Sequence, residues 1–153
     1  MSITTLTETL RTQGHDDCVD ITERVQEAVR NAKIRQGLAT VFVTGSTAGV
    51  TTIEYEPGLV NDLKEAVRRL FPEHLRYAHH ARPGPTHAGG WRAGEAAGDD
   101  NGFSHLRASL IGPSLTVPIV DGKLALGTWQ QIVLIDFDVH PRSRSFVIQL
   151  LGE

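Results

Sequence analysis

The sequence predicts an α+β protein in which two amphipathic helices cover one side of a largely antiparallel sheet or sandwich. Two observations carry that reading. Short apolar or alternating runs outnumber the helical stretches, and several of them follow one another near the end of the chain. Their order is strand, helix, strands, helix, then a run of strands, which is not the regular alternation of a doubly wound sheet. With 153 residues, 40% hydrophobic and 22% charged, the chain is long enough to bury one core, and one domain is expected over 1–153.

Residues 2–10 are rich in threonine, with Ile3, Leu6 and Leu10 set among polar positions, and predict an opening strand before a polar turn at 14–17. Asp20 or Thr22 then caps a helix, and Glu23 puts an acid in its first turn, where the macrodipole favours one. Ile21, Val25, Ala28, Val29 and Ala32 recur at helical spacing and make one apolar face. Arg30, Lys33 and Arg35 crowd the far end and Gly37 is the expected stop, so the helix is placed over 23–36. Residues 38–43 form a short apolar strand that empties into the loop Thr44-Gly45-Ser46-Thr47-Ala48-Gly49, and strand character resumes at 50–53. Pro57 suits the first turn of a second helix, whose stripe is Leu59, Val60, Leu63, Ala66, Val67, Leu70 and Phe71.

Residues 73–100 change character, and 81–99 read as an irregular insertion rich in glycine, alanine and charge. Beyond it, His105, Arg107 and Ser109 alternate and read as one face of a strand. Leu115, Val117 and Ile119 alternate with Ser114, Thr116 and Pro118, and Asp121-Gly122 is a hairpin signal because both residues accept positive φ. Residues 131–137 and 145–151 are two more strands, joined through a His140-Pro141 turn.

The net charge of −3 argues against a nucleic-acid scaffold, which would present a basic face. A single cysteine, Cys18, rules out an intrachain disulfide, and the acids around it mark it as inert packing. The first twenty residues have no basic and apolar leader pattern, and no run is long and apolar enough to span a bilayer. A cytoplasmic protein with no membrane or nucleic-acid partner is expected.

Three groups of residues can carry chemistry. His79 and His105 stand at element ends on either side of the insertion, among five of the seven histidines in or beside it (His74, His79, His80, His87, His105). Imidazole ligates metals and moves protons near neutral pH, although loop histidines are more often simply solvated. The loop 44–49 offers successive small residues whose N–H groups can cradle an oxyanion, or it is a tight turn; it lacks the lysine of a P-loop. Glu54 ends a strand, as a site residue would, whereas Glu56 reads as a helix-start acid. Arg107 beside His105 and Ser109 suits an anionic ligand, or it pairs with one of the chain's own acids.

These residues resemble the YjbQ family, whose members are often labelled secondary thiamine-phosphate synthase enzymes. The likeness is carried by Asp20-Ile21-Thr22, by Thr47-Ala48-Gly49-Val50 with Glu54-Tyr55-Glu56-Pro57-Gly58-Leu59 and Asp62, and by Tyr77-Ala78-His79. Asp100-Asn101, Ser104-His105-Leu106 and Ala108-Ser109-Leu110 continue it. It is strongest from Gly112-Pro113-Ser114 through Asp121-Gly122 to Leu126-Gly127-Thr128-Trp129-Gln130, and Pro141-Arg142-Ser143-Arg144 completes it.

The resemblance implies a jelly-roll-like antiparallel sandwich, assembled as a homotrimer, with a histidine-lined pocket that holds a divalent metal (zinc or magnesium) and an anion. Carried over by position, His79 and His105 are the metal-holding and proton-transferring histidines. Glu54, Asn101 and Ser109 are their polar surround, and Trp129 and Gln130 are the far wall. Arg107, Ser46 and Thr47 are expected to steady the anion. Gly45 stands where the resemblance places a histidine.

The leading expectation is therefore a thiamine-phosphate synthase-like transferase that binds a phosphorylated small molecule at a subunit-edge pocket. The alternatives are a non-catalytic ligand-binding or scaffold trimer that lost the metal site at Gly45, and a metal-dependent phosphoester hydrolase.

Overall fold

The computed structural model describes residues 1–80 and 100–153. Its strands are β1 (Ser2–Thr12), β2 (Asp17–Asp20), β3 (Gln36–Val43), β4 (Ala48–Ile53), β5 (Ser114–Val120), β6 (Lys123–Leu124), β7 (Gln131–Asp136) and β8 (Arg142–Gly152). Its helices are α1 (Thr22–Ala32), α2 (Pro57–Leu70) and α3 (Gly102–Ile111), with a short 3₁₀ turn at Ala78–His80. All strand pairings are antiparallel: one sheet has the order β1-β8-β3-β5-β6 and the other β2-β7-β4.

The alternation read from the sequence decides what lies between the sheets. Ala39, Val41 and Val43 of β3, Phe146, Ile148 and Leu150 of β8, and Val117 and Ile119 of β5 all point to one side of the larger sheet. They meet Val50 of β4 and Ile132 and Leu134 of β7, and Ile21, Val25 and Val29 of α1 join the same core. The opposite face of the smaller sheet carries Cys18, Val133 and Ile135, which pack on Val67 of α2 and Ala108 of α3. The order of layers is thus five-stranded sheet, three-stranded sheet with α1, then α2 and α3. An α+β sandwich was expected, and it is what forms.

Three local expectations are corrected. The stretch holding His105, Arg107 and Ser109 is helix α3, so the fold has a third helix; Ser104, Arg107, Ala108 and Ile111 recur at the 3–4 spacing of a buried helical face, and the period-two pattern over three residues was coincidental. The first helix ends at Ala32, closed by Lys33 in the left-handed region (φ 55°), so Gly37 is not its stop but a residue of β3. The polar stretch after β1 contains the short strand β2, whose Cys18 is buried and whose thiol burial pushes up to about 11, in keeping with inert packing. The helix-start reading of Glu56 holds: its carboxylate accepts from the N–H groups of Gly58 and Leu59, and Pro57 follows it. The expected insertion at 81–99 lies outside the described residues, and among those described no helix is long and apolar enough to cross a membrane.

Gly37 has a different use. It faces Gly152 across the β3–β8 pairing, and a Cβ at position 37 would lie 2.1 Å from the Leu151 carbonyl oxygen. Two strands of the main sheet can approach here only without a side chain. Gly37→Ala is expected to destabilise the protein by about 3 kcal/mol, because the added methyl meets rigid backbone and not a movable side chain. Urea unfolding of the variant checks this, and an unchanged midpoint would refute it.

Candidate functional site

At one end of the sandwich the apolar core gives way to buried charge. Arg144 of β8 reaches from the larger sheet to Asp136 of β7 in the smaller one, with Nε 2.8 Å from Oδ2 and Nη2 2.6 Å from Oδ1. Nη2 also donates to Thr47 Oγ1 at 2.7 Å and reaches Asp138 Oδ2 at 3.3 Å. The Thr12 hydroxyl donates to Asp136, and the Thr47 hydroxyl to Asp138. Arg142 Nε lies 2.8 Å from Asp138 Oδ2, and Asn101 Nδ2 donates to Asp138 Oδ1. Asp136 is fully buried, so this bidentate pairing and its hydroxyl donors are what make the charge tolerable.

Asn101 ties this cluster to α3. Its backbone carbonyl accepts from the N–H groups of Ser104 and His105 at the start of the helix. One turn in, His105 meets His79 of the 3₁₀ turn, with ring centroids 4.6 Å apart and planes tilted by 59°. The structure thus brings together two imidazoles that stand 26 positions apart in the sequence. Tyr77 packs near Phe103 (centroids 6.3 Å apart), and Arg107 lies over Phe103 at 4.6 Å, so the segment before the turn is held against α3 by aromatic contacts.

The other expected residues are placed as follows. Arg107 is fully buried on the side of α3 away from His105: Nη1 pairs with Asp16 at 2.9 Å and Glu73 at 3.5 Å, while Nε and Nη2 donate to the Phe71 carbonyl. With His15, Arg68, Arg69, Glu73 and His74 it lines a cavity of about 750 Å³ whose described lining includes neither His79 nor His105. A helix cannot present positions 105 and 107 on one face, which corrects the expected grouping. Ser109 does share a face with His105, but its hydroxyl donates to the His105 carbonyl at 2.8 Å. Thr47 is committed to the ion cluster, and Ser46 beside it is exposed.

Glu54, Trp129 and Gln130 form a second group. β4 begins opposite Asp136 and ends with Ile53 opposite Gln131, so Glu54 lies roughly 23 Å along the strand from Thr47. Gln130 donates to Thr52 Oγ1 and lines a cleft of about 300 Å³ between the open edges of the two sheets, and Trp129 is 71% exposed. Within one chain these residues do not surround His79 and His105.

The sequence reading did not single out Asp136, Asp138, Thr12 and Arg144. Asp136 and Asp138 were read as a strand end and a turn, and β8 begins at Arg142, earlier than expected. The legible signal was the pair of acids at 136 and 138 facing the pair of arginines at 142 and 144, two of each at period two.

No group of three or more histidine, cysteine, aspartate or glutamate side chains able to hold a metal occurs among the described residues. Among the described residues His79 and His105 supply two imidazoles, fewer than the three or more protein ligands of a zinc centre or the oxygen set of a magnesium one.

Comparison with known proteins identifies the family. The family model described as UPF0047 protein YjbQ-like matches residues 7–153. The chain belongs to the UPF0047 (YjbQ-like) family. A UPF0047 protein of Archaeoglobus fulgidus is 34% identical over 143 residues, covering 94% of this chain and 98% of the relative. One from Mycobacterium tuberculosis is 38% identical over 110 residues, covering 71% of each. Among solved structures, a hypothetical protein of Aeropyrum pernix superposes with a TM-score of 0.83 at 31% identity, over 98% of this chain and 99% of that one. A YbjQ-like protein of unknown function from Sulfolobus solfataricus gives 0.82 at 27% identity, over 99% and 100%.

The ion cluster makes this UPF0047 chain sensitive to acid. Burial alone would raise the Asp138 carboxyl, but the hydrogen bonds from Arg142, the Val139 N–H and Asn101, together with the Arg142 charge, hold it below the usual carboxylate range. A carboxyl lowered in the folded state contributes stability above its unfolded value of about 4, and that contribution is lost as pH falls through the folded value. Arg142→Ala is expected to lower Tm most at pH 5–7, where the Asp138 contribution is fully present, and the gap to wild type is expected to close as pH falls below about 4. A gap that stays constant or widens toward low pH in a Tm-against-pH profile would contradict it.

Proposed function

We propose that the chain binds a phosphorylated small molecule at the corner formed by His79, His105, Asn101 and the Arg144 cluster, and that the two imidazoles move protons on it. The single observation that carries this reading is the approach of His79 and His105 to 4.6 Å, next to a helix start tied by Asn101 to buried Asp138 and, through it, to Arg144. A neutral imidazole accepts a proton at one nitrogen and donates at the other, so adjacent rings offer a general base and a general acid within reach of one ligand. The arginine supplies donors of the kind that phosphate oxygens accept.

The transferase reaction of a thiamine-phosphate synthase-like protein is the specific chemistry that the family resemblance names, and it is part of this proposal. No step is routed through a metal. A cytoplasmic homotrimer is proposed with it. Support for self-association comes from the outer face of the five-stranded sheet: Leu38 and Phe42 of β3 are each 43% exposed, Ile3 of β1 is 69% exposed, and no element of the described chain covers them. Association of copies would also allow the Glu54, Trp129 and Gln130 group of one to approach the histidine pair of another.

Expression in a bacterial strain lacking thiamine-phosphate synthase tests the activity. Growth without added thiamine is expected from the wild type and not from His105→Ala, and failure of a well-expressed wild type would refute the transferase reading. Elemental analysis of protein purified without chelator is expected to find less than one metal per chain. A stoichiometric metal that vanishes in His105→Ala would overturn the metal-free account.

A further inference from the structure

The loop Thr44 to Thr47 has a feature that the ion cluster explains only in part. Arg144 commits Nε and Nη2 to Asp136, Thr47 and Asp138, but its Nη1 makes no hydrogen bond to any described residue. The residue is 8% exposed, so the guanidinium is fixed by its buried side and only an edge reaches the surface. That edge faces Gly45. A Cβ built at position 45 would lie 3.1 Å from Nη1 and meets no other atom within 4 Å.

The backbone of the same loop has unused donors. The Thr44 N–H is taken by the Ser145 carbonyl and the Thr47 carbonyl accepts from Phe137, but the N–H groups of Gly45, Ser46 and Thr47 have no partner among the described residues. Ser46 adds an exposed hydroxyl. Three successive amides without a partner among the described residues, beside a rigidly held guanidinium edge, are donors of the kind that hold a tetrahedral oxyanion.

We propose that Gly45, Ser46, Thr47 and Arg144 Nη1 form an oxyanion cradle that takes the phosphate group of the ligand, and that the absence of a side chain at position 45 is what opens the guanidinium edge to it. The cradle rests on the reading of a phosphorylated ligand at this corner, and it adds the group recognised and the residue that controls access. Asp136 neutralises most of the Arg144 charge, so selection is by donor geometry and not by a broad positive field. Gly45 acts as a specificity-determining position: any side chain there stands between Nη1 and an incoming oxygen.

Inorganic phosphate is the probe, titrated into the full-length protein by calorimetry and followed by ³¹P line broadening. Wild type is expected to bind it. Gly45→Ala and the bulkier Gly45→Val are expected to weaken it about tenfold or more, since donors to a charged acceptor are lost. Position 45 is exposed and open apart from Nη1, so both variants are expected to melt like wild type. His79→Ala and His105→Ala are expected to keep phosphate affinity within about twofold while losing activity, as the cradle contains neither ring.

Unchanged phosphate binding in both Gly45 variants, or no binding by the folded wild type, overturns the cradle. The histidine-based reading would then still stand or fall on complementation. Loss of phosphate binding in the histidine variants with Gly45→Val unaffected also overturns the cradle, since it moves the anion to the rings.

Discussion

The bidentate pairing of Arg144 with Asp136 joins the two sheets at the one end of the sandwich where no apolar core does so. The five-stranded sheet supplies the arginine and the three-stranded sheet the aspartate; Asp136 is fully buried and Arg144 reaches the surface by one edge only. Removing either partner would strand the other as a buried charge, a cost of several kcal/mol that good packing elsewhere does not offset. The satellites Thr12, Thr47 and Asp138 follow from the same constraint, because each uses donor or acceptor capacity that the pair alone leaves over. The last residue of β1, the loop before β4, the turn after β7 and the first residues of β8 are fixed relative to one another by this one cluster.

The proposed site lies at the margin of that cluster. Asn101 caps the start of α3 with its carbonyl and touches Asp138 with its side-chain amide, so the helix that carries His105 is indexed to the ion network. A second buried ion set does the same from the other side. Arg107 binds Asp16, which also receives Arg68 of α2, and Arg107 grips the carbonyl at the end of α2. The helix is thus held by charge at two places and by Ala108 and Ile111 against the sheet between them. A histidine pair needs such fixing, because proton transfer depends on geometry held to a fraction of an ångström. Arg107 was a reasonable candidate for an anion ligand from its neighbours in sequence, and the structure assigns it to this bracing.

Position 45 connects the family pattern to the chain's own chemistry. Where the resemblance places an imidazole, this chain has glycine, and the glycine lies over the one free edge of Arg144. In the proposed cradle, glycine at this position leaves a hydrogen-bond donor uncovered that a larger side chain would stand against. An arginine already fixed by a buried aspartate loses little freedom on binding a ligand, which is the advantage of preorganisation.

By itself the sequence determined the class of fold, the alternating strands from 114 onward, the second helix with its Glu56 and Pro57 start, and the histidines worth watching, because these are written in local periodicity and in local capping chemistry. It misread 105–109, where the helix exposes Leu106 and Leu110 and buries Ser104 and Arg107, so hydrophobicity does not mark its period, and it assigned no role to Arg144, whose partners come from the other sheet. Only the tertiary structure decided that His79 and His105 meet, that Glu54, Trp129 and Gln130 lie at the far end of β4, and that a glycine opens onto a guanidinium. Contacts between residues distant in sequence are set by sheet register and layer packing, and neither is encoded in any one stretch of the chain.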